Sequence, residues 1–393
     1  MTVPDRPSPM LHFFIGTKAQ LIKMAPIMQA LDRRGVAYRF INAGQHAATL
    51  ASLIEQFGLR QPDVNLRQGT DNITRLGQGI AWLGGLLGQA IVQPARVRAE
   101  VFGGHLGLCL IHGDTATTLI SAIMAKRAGL AVAHVEAGLR SYNIFDPFPE
   151  ELIRLIAMRL ADLLIAPDGW ALDNLAKMRL RGQIETSDGN TIADTVAFAQ
   201  SLSEHSEPSA PSPFPFDGEG PGMGSYAVMS IHRFETIRSK DRLAKVVSLA
   251  RRIGAQRPVK FVTHGPTLNY LRRFGLLSEL EAAPGVELLP LQDYLTFVAM
   301  LSRAAFIVVD GGSIQEESAI LGAPCLVLRN RTERRDGLGA NAVLAGSDDA
   351  KIDAFLVGFE RYRCPPAARG EVSPSARIAE LALAWLASHP STG

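Results

Sequence analysis

The stretch Leu108-Cys109-Leu110-Ile111-His112-Gly113-Asp114-Thr115-Ala116-Thr117-Thr118 decides the fold class. Its four leading apolar residues form a run too short for a helix and lack the alternation of a half-exposed strand, so they predict a strand buried on both faces. Gly113 then breaks the run, and Thr115 stands where a side-chain oxygen would cap a following helix. Strand, glycine turn and capped helix together make the repeating step of a parallel sheet, because parallel strands need a crossover connection, usually a helix.

Outward from this stretch the same step recurs. Short apolar runs at 11–15, 38–41, 132–135 and 163–166 alternate with amphipathic segments in the first half. After position 200 the rhythm lapses into a Ser- and Pro-rich stretch and a Gly-rich piece ending near Ser225, a composition of turns and extended chain. It resumes at 226–231, 260–263, 286–289, 306–309 and 325–328. The expected architecture is α/β, with two Rossmann-like, doubly wound parallel-sheet domains at 1–200 and 226–372 and a linker at 201–225. The apolar spacing of 376–386 predicts a C-terminal helix within 373–393, free to pack back on the first domain.

Composition agrees with this plan and narrows the function. A chain of 393 residues is too long for one typical domain. A net charge of +2, with Lys and Arg spread along the chain, lacks the footprint of a nucleic-acid binder, so an anionic ligand must be held by local groups. The opening residues lack the pattern of a signal peptide and no later apolar stretch is long enough to span a bilayer, which predicts a cytoplasmic protein that makes no use of a membrane. Cys109, Cys325 and Cys364 are far apart and two lie in apolar runs, so neither a disulfide nor a metal site is expected.

In open parallel sheets ligands bind beyond the carboxyl ends of the strands. The residues that follow the predicted strands are Gly16-Thr17-Lys18, Gly113-Asp114-Thr115, Glu136-Ala137-Gly138-Leu139-Arg140, His232-Arg233, His264-Gly265 and Asp310-Gly311-Gly312-Ser313. Ionisable and glycine-rich residues therefore collect at one edge of each sheet. Gly16 would let a phosphate approach the N–H groups of the next helix, or serve the turn alone. Asp114 is a candidate acid or base, with helix capping as the plain alternative. Glu150 and Glu151 fall in a predicted first helical turn, where acidic residues also serve the helix dipole. His232 is a candidate for proton transfer or a packed strand-end residue. Small residues at 311–313 suit a diphosphate, and a Glu one turn later could accept from ribose hydroxyls. Of Glu316 and Glu317, one is expected to be solvated, since adjacent helical residues point about 100° apart.

Taken in order, His112-Gly113-Asp114-Thr115, His134-Val135-Glu136-Ala137-Gly138-Leu139-Arg140, Pro147-Phe148-Pro149-Glu150-Glu151, His232-Arg233, Gly312-Ser313-Ile314-Gln315-Glu316-Glu317 and Thr332-Glu333-Arg334 resemble the motifs of the UDP-N-acetylglucosamine 2-epimerases, from about residue 11 to 346. The resemblance implies a GT-B fold with the active site in an interdomain cleft, inversion of C2 of a UDP-2-acetamido sugar, no metal or nicotinamide cofactor, and a homodimer. It implies that Asp114, Glu136 and Glu150 share the acid and base roles and that His232 acts near the diphosphate. It further implies contacts to nucleotide, phosphate or carboxylate from Gly16, Thr17, Lys18, Lys23, Arg140, Arg154, His264, Gly311, Gly312, Ser313 and Arg334, and to ribose from Glu317.

This chain departs from the family pattern at several points. Gly-Thr-Arg-Pro-Glu becomes Gly16-Thr17-Lys18-Ala19-Gln20, Asp-Ser-Gly-Gly becomes Asp310-Gly311-Gly312-Ser313, and Arg335-Asp336 replaces Pro-Glu. Gly44-Gln45-His46 resembles part of the site where some bacterial members bind an activating second substrate molecule, but Ala47-Ala48-Thr49 lacks its Arg and Met. A hydrolysing epimerase that releases UDP and free ManNAc is the alternative outcome. A GT-B glycosyltransferase and an inactive nucleotide-sugar binder are alternatives of other classes.

Overall fold

The computed structural model describes residues 8–45, 47–67, 76–145, 148–205, 224, 226–332, 334–368, 370 and 372–389. The chain divides into two compact units, Met1–Thr195 with Arg369–Gly393, and Val196–Ala368. The first contains the strands β1 (Met10–Ile15), β2 (Tyr38–Asn42), β3 (Val64–Asn65), β4 (Gly107–His112), β5 (Ala131–Val135), β6 (Leu163–Ala166) and β7 (Gln183–Thr186), in the spatial order β3-β2-β1-β4-β5-β6-β7. The second contains β8 (Ala227–Ile231), β9 (Val259–Thr263), β10 (Val286–Leu289), β11 (Phe306–Val309), β12 (Cys325–Val327) and β13 (Ala342–Leu344), in the order β10-β9-β8-β11-β12-β13. Every strand pair in both sheets is parallel.

The apolar runs became the central strands because both faces of a parallel sheet are covered by helices. In the first unit Phe14, Ile41, Cys109, Ile111, Val132 and Leu164 belong to one buried cluster, and in the second Met229, Ile231, Phe261, Val308 and Leu326 belong to another. Three edge strands, β3, β7 and β13, lack an all-apolar run. Their side chains are mostly half-buried, so packing places little demand on their composition.

Helix Lys18–Asp32 contains Pro26, which has no N–H to give the Ile22 carbonyl one turn back. The Thr195 hydroxyl donates to that carbonyl at 2.8 Å and closes the gap. The C-terminal helix Pro374–Ser388 packs on the same helix and reaches β1 and β4. Its entry is fastened by the Ser375 N–H donating to Asp194 Oδ2 at 2.8 Å. Helix Ile192–His205 runs past position 200, so residues 201–205 of the expected linker are helical. The linker's 206–223 and 225 lie outside the described residues, as do His46, Pro147 and Glu333.

The strand order reverses between β1 and β4 in one sheet and between β8 and β11 in the other. Crossovers leave in opposite directions at these two points, and the crevice opened there is where α/β sheets receive ligands.

Candidate active site

At the reversal point of the first sheet, the turns after β1 and β4 are tied together by Gln20. Its side-chain oxygen accepts from the N–H groups of Gly16 at 2.8 Å and Thr17 at 3.1 Å. Its nitrogen donates to the His112 carbonyl at 3.1 Å and to the hydroxyls of Thr115 and Thr118 at 3.2 and 3.0 Å. Thr17 and Gln20 form a reciprocal capping box at the start of helix Lys18–Asp32. The expectation that the Gly16 and Thr17 N–H groups stand ready for phosphate is therefore corrected, because the capping side chain already occupies both. Gly16 answers a packing need instead. A Cβ there would lie 2.4 Å from Thr117 Cγ2.

Glu136 follows β5 in the left-handed region, with φ 61°. It is 3% exposed, forms an ion pair with the equally buried Lys23, and has Oε2 3.4 Å from His112 Nε2. Burying a carboxylate costs several kcal/mol unless a charge accompanies it, so Lys23 is what permits an acid at this strand end. The neighbouring His134 is fully buried and its Nε2 lies 2.8 Å from the Gly113 carbonyl. Loss of hydration depresses its pKa to about 4, the Gly113 contact opposing, so it serves as a neutral hydrogen-bonding strut.

A second charge network continues from the β4 turn. Asp114 pairs with Arg154, whose other arm donates to Glu151 at 2.5 Å. Glu151, fully buried, also accepts from Arg140 Nε at 2.5 Å and from the Ser141 N–H at 3.0 Å. Glu151 and Arg154 share one side of helix Glu150–Leu160, being three residues apart. Glu150 occupies the first position of that helix and is half-buried. The sequence points to Glu150 and leaves Glu151 as a dipole residue; the carboxylate that joins both arginines is Glu151. An Arg three residues after a first-turn Glu was the available signal.

In the second unit, Asp310 ends β11 and is fully buried. Its two oxygens accept from the N–H groups of His232 at 3.0 Å and Arg233 at 3.1 Å, joining the β8 and β11 ends. The His232 ring packs on His264, centroids 4.7 Å apart. Desolvation lowers the His232 pKa below the usual value, with Asp310 opposing and Arg233 and Arg329 acting in the same direction as burial. His264 caps helix Gly265–Arg273 and lies 3.4 Å from the Ser230 hydroxyl.

Helix Gly312–Leu321 starts beside this pair with Gly311 as its cap, Gly312 buried and Ser313 exposed. Its first N–H groups and positive dipole end suit an anion. Neither Glu316 nor Glu317 is solvated, which corrects the expectation for that pair: they are 0% and 4% exposed. Both faces of the helix are covered, and each acid has its own partner. Glu316 accepts from Arg334 at 2.6 Å, while Glu317 hydrogen-bonds the buried Tyr294. Burial and then Glu317 push that phenol well above its usual pKa. Gln315 donates to the carbonyls of Arg334 and Asp336 at 3.2 and 2.8 Å, pinning the loop that carries Arg334. Tyr294 and Gln315 were missed as supports because each contact joins segments distant in the chain.

A family model described as UDP-N-acetylglucosamine 2-epimerase matches residues 29–360. The chain belongs to the UDP-N-acetylglucosamine 2-epimerase family. The enzyme of that name from Methanococcus maripaludis is 29% identical over 347 residues, 87% of this chain and 89% of that one. The Bacillus subtilis relative is 30% identical over 341 residues, 86% and 83% of the two chains. Among solved structures, the Methanocaldococcus jannaschii UDP-GlcNAc 2-epimerase in complex with UDP-GlcNAc and UDP aligns with a TM-score of 0.79 at 26% identity, covering 96% of this chain and 99% of that one. The Neisseria meningitidis enzyme bound to UDP-GlcNAc gives 0.79 at 25% identity, covering 96% and 100%.

The two all-parallel sheets are thus of the family's GT-B type. Two of the chain's departures from the family pattern now have a setting. Gln20 replaces an acidic capping residue and adds two donors, which the His112 carbonyl and two threonine hydroxyls take up. Lys18 opens its helix half-buried, one residue after the Thr17 cap. Among the described residues no His, Cys, Asp and Glu cluster could hold a metal, and no helix is long and apolar enough to cross a membrane.

Proposed function

We propose that this protein epimerises C2 of UDP-N-acetylglucosamine or a related UDP-2-acetamido sugar, returning UDP-sugar without net hydrolysis. The observation that carries the reading is the clustering at one sheet edge of two carboxylates with their own cations, Glu136 with Lys23 and Asp114 with Arg154, in a chain of this family.

The chemistry needs such groups. A carboxylate removes the C2 proton as the C1–O bond breaks; the C–H electrons form the C1=C2 bond, and the C–O pair leaves on the diphosphate. The resulting 2-acetamidoglucal accepts UDP back at C1 and a proton at C2 from the opposite face. A well-placed base and preorganised donors for the leaving group lower the barriers to both steps. Asp114, Glu136 and Glu150 share the acid and base work. His232 acts beside the diphosphate; Gly312, Ser313, His264 and Arg334 hold the nucleotide, with Lys18 and the other basic residues assisting and Glu317 on the ribose. Both sheet edges serve one substrate molecule, and the domain division at 1–200 and 226–372 separates sugar handling from UDP handling. The working form is a cytoplasmic homodimer that needs no activating second substrate.

Incubation with UDP-GlcNAc in heavy water tests the reading. Deuterium at C2 of recovered UDP-sugar, with UDP-ManNAc formed, is expected. Stoichiometric UDP and free ManNAc would assign the hydrolysing reaction instead. Neither product, across several UDP-2-acetamido sugars, would reject both.

A further inference from the structure

The family pattern carries a serine where this chain has Gly311, and a glycine where it has Ser313. In the structure the space a side chain would need at 311 is filled by His232. A Cβ on Gly311 would stand 2.7 Å from His232 Cε1 and 3.0 Å from Nε2. Carbon atoms in contact sit roughly 3.5–4.0 Å apart, so any side chain at 311 displaces the ring by about 1 Å or more. Gly311 has φ −111°, ordinary for any residue. Backbone conformation therefore does not require glycine here; the imidazole does.

We infer that Gly311 is a positioning residue: its bare Cα lets the His232 ring lie across the cap of helix Gly312–Leu321, packed on His264 and beside Asp310. Three observations meet at this ring. The His232 N–H is fixed by Asp310, the ring face meets His264 at 4.7 Å, and Nδ1 lies 3.8 Å from Asp310 Oδ1. The remaining side meets Gly311. A serine there closes that side and turns the imidazole away from the helix N-terminus. Moving the hydroxyl to Ser313, which is exposed on the first turn, keeps a hydroxyl at the helix start without entering the ring's space. The inference rests on the proposed role of His232 at the diphosphate.

The test is Gly311→Ala, alone and with His232→Asn. The clashing atoms belong to a side chain that can swing, so the variant is expected to fold, as circular dichroism will check. NMR titration of the substrate-free protein should show the His232 imidazole pKa rising toward that of an exposed histidine. C2 deuterium exchange should fall roughly 10- to 100-fold, as expected for a reacting group misplaced by about 1 Å, with KM changed less than about twofold. In the His232→Asn background, Gly311→Ala should have no further effect on rate. An unchanged His232 titration, or an equal rate loss in both backgrounds, overturns the inference. The titration needs no substrate, so it separates failure of this placement from failure of the epimerase reading.

Discussion

Glu136 combines a left-handed backbone, near-complete burial and an ion pair to Lys23. A non-glycine residue in that conformation costs on the order of 1 kcal/mol and persists only where its surroundings hold it. Lys23, on a helix more than a hundred positions earlier, supplies that hold. Lys23→Met should therefore destabilise the protein by about 3–5 kcal/mol, the cost of leaving a buried charge alone. Lys23→Met with Glu136→Gln should recover most of that loss, and urea unfolding of the three proteins measures both effects. Additive losses in the double variant would show that the pair is not what stabilises Glu136. Glu136→Gln alone should remove C2 exchange by roughly 10²–10⁴-fold while leaving UDP affinity within a fewfold by calorimetry. The place of Glu136 at a strand end was legible in the sequence. Its partner was not, since ion pairing depends on distance in space.

Helix Lys18–Asp32 shows how much of an element's role lies in its first turn. Its capping Gln20 accepts from two backbone N–H groups and donates to three oxygens of the neighbouring β4 turn. Gln20→Ala leaves several of these buried groups unsatisfied at about 1–3 kcal/mol each. A net loss of roughly 2–4 kcal/mol in urea unfolding is expected, partial hydration lowering the sum. A loss below 0.5 kcal/mol, on the order of an ordinary surface change, would mean that the two turns do not depend on this bridge. At this scale the helix itself was legible from its apolar spacing and glycine turn. Its function as a tie between β1 and β4 was not, because a capping glutamine and a bridging glutamine read alike. The edge strands β3, β7 and β13 escaped notice for a related reason: a half-exposed edge imposes little pattern.

For the whole molecule, acid is the informative stress. His12 in β1 and His134 in β5 are fully buried, and burial lowers each pKa from 6.5 to about 4. Both are neutral in the folded protein at pH 7. Below pH 6.5 the unfolded chain binds protons that the folded chain refuses until about pH 4. The unfolded state binds more protons across that window, so stability rises with pH there. It is fully present above pH 6.5 and declines as pH falls toward 4, by an upper bound on the order of 3 kcal/mol per histidine. Both belong to the first unit, which should lose its near-UV signal first as pH falls. His12→Leu with His134→Gln should flatten the profile of urea midpoints between pH 7.5 and 4.5. A flat profile in the unaltered protein would refute the assignment.

Local order along the chain determined the two parallel sheets, the linker's approximate place, the strand ends that carry chemistry and the family. Apolar runs, glycine turns and motif order survive in one dimension because burial and backbone geometry act on neighbouring residues. Tertiary structure alone decided that Gln20 occupies the Gly16 turn, that Glu151 joins both arginines, that Glu316 and Glu317 are both buried, and that His232 needs a glycine at 311. Each of these depends on which polar atoms come within about 3 Å of one another, a quantity set by packing between distant segments.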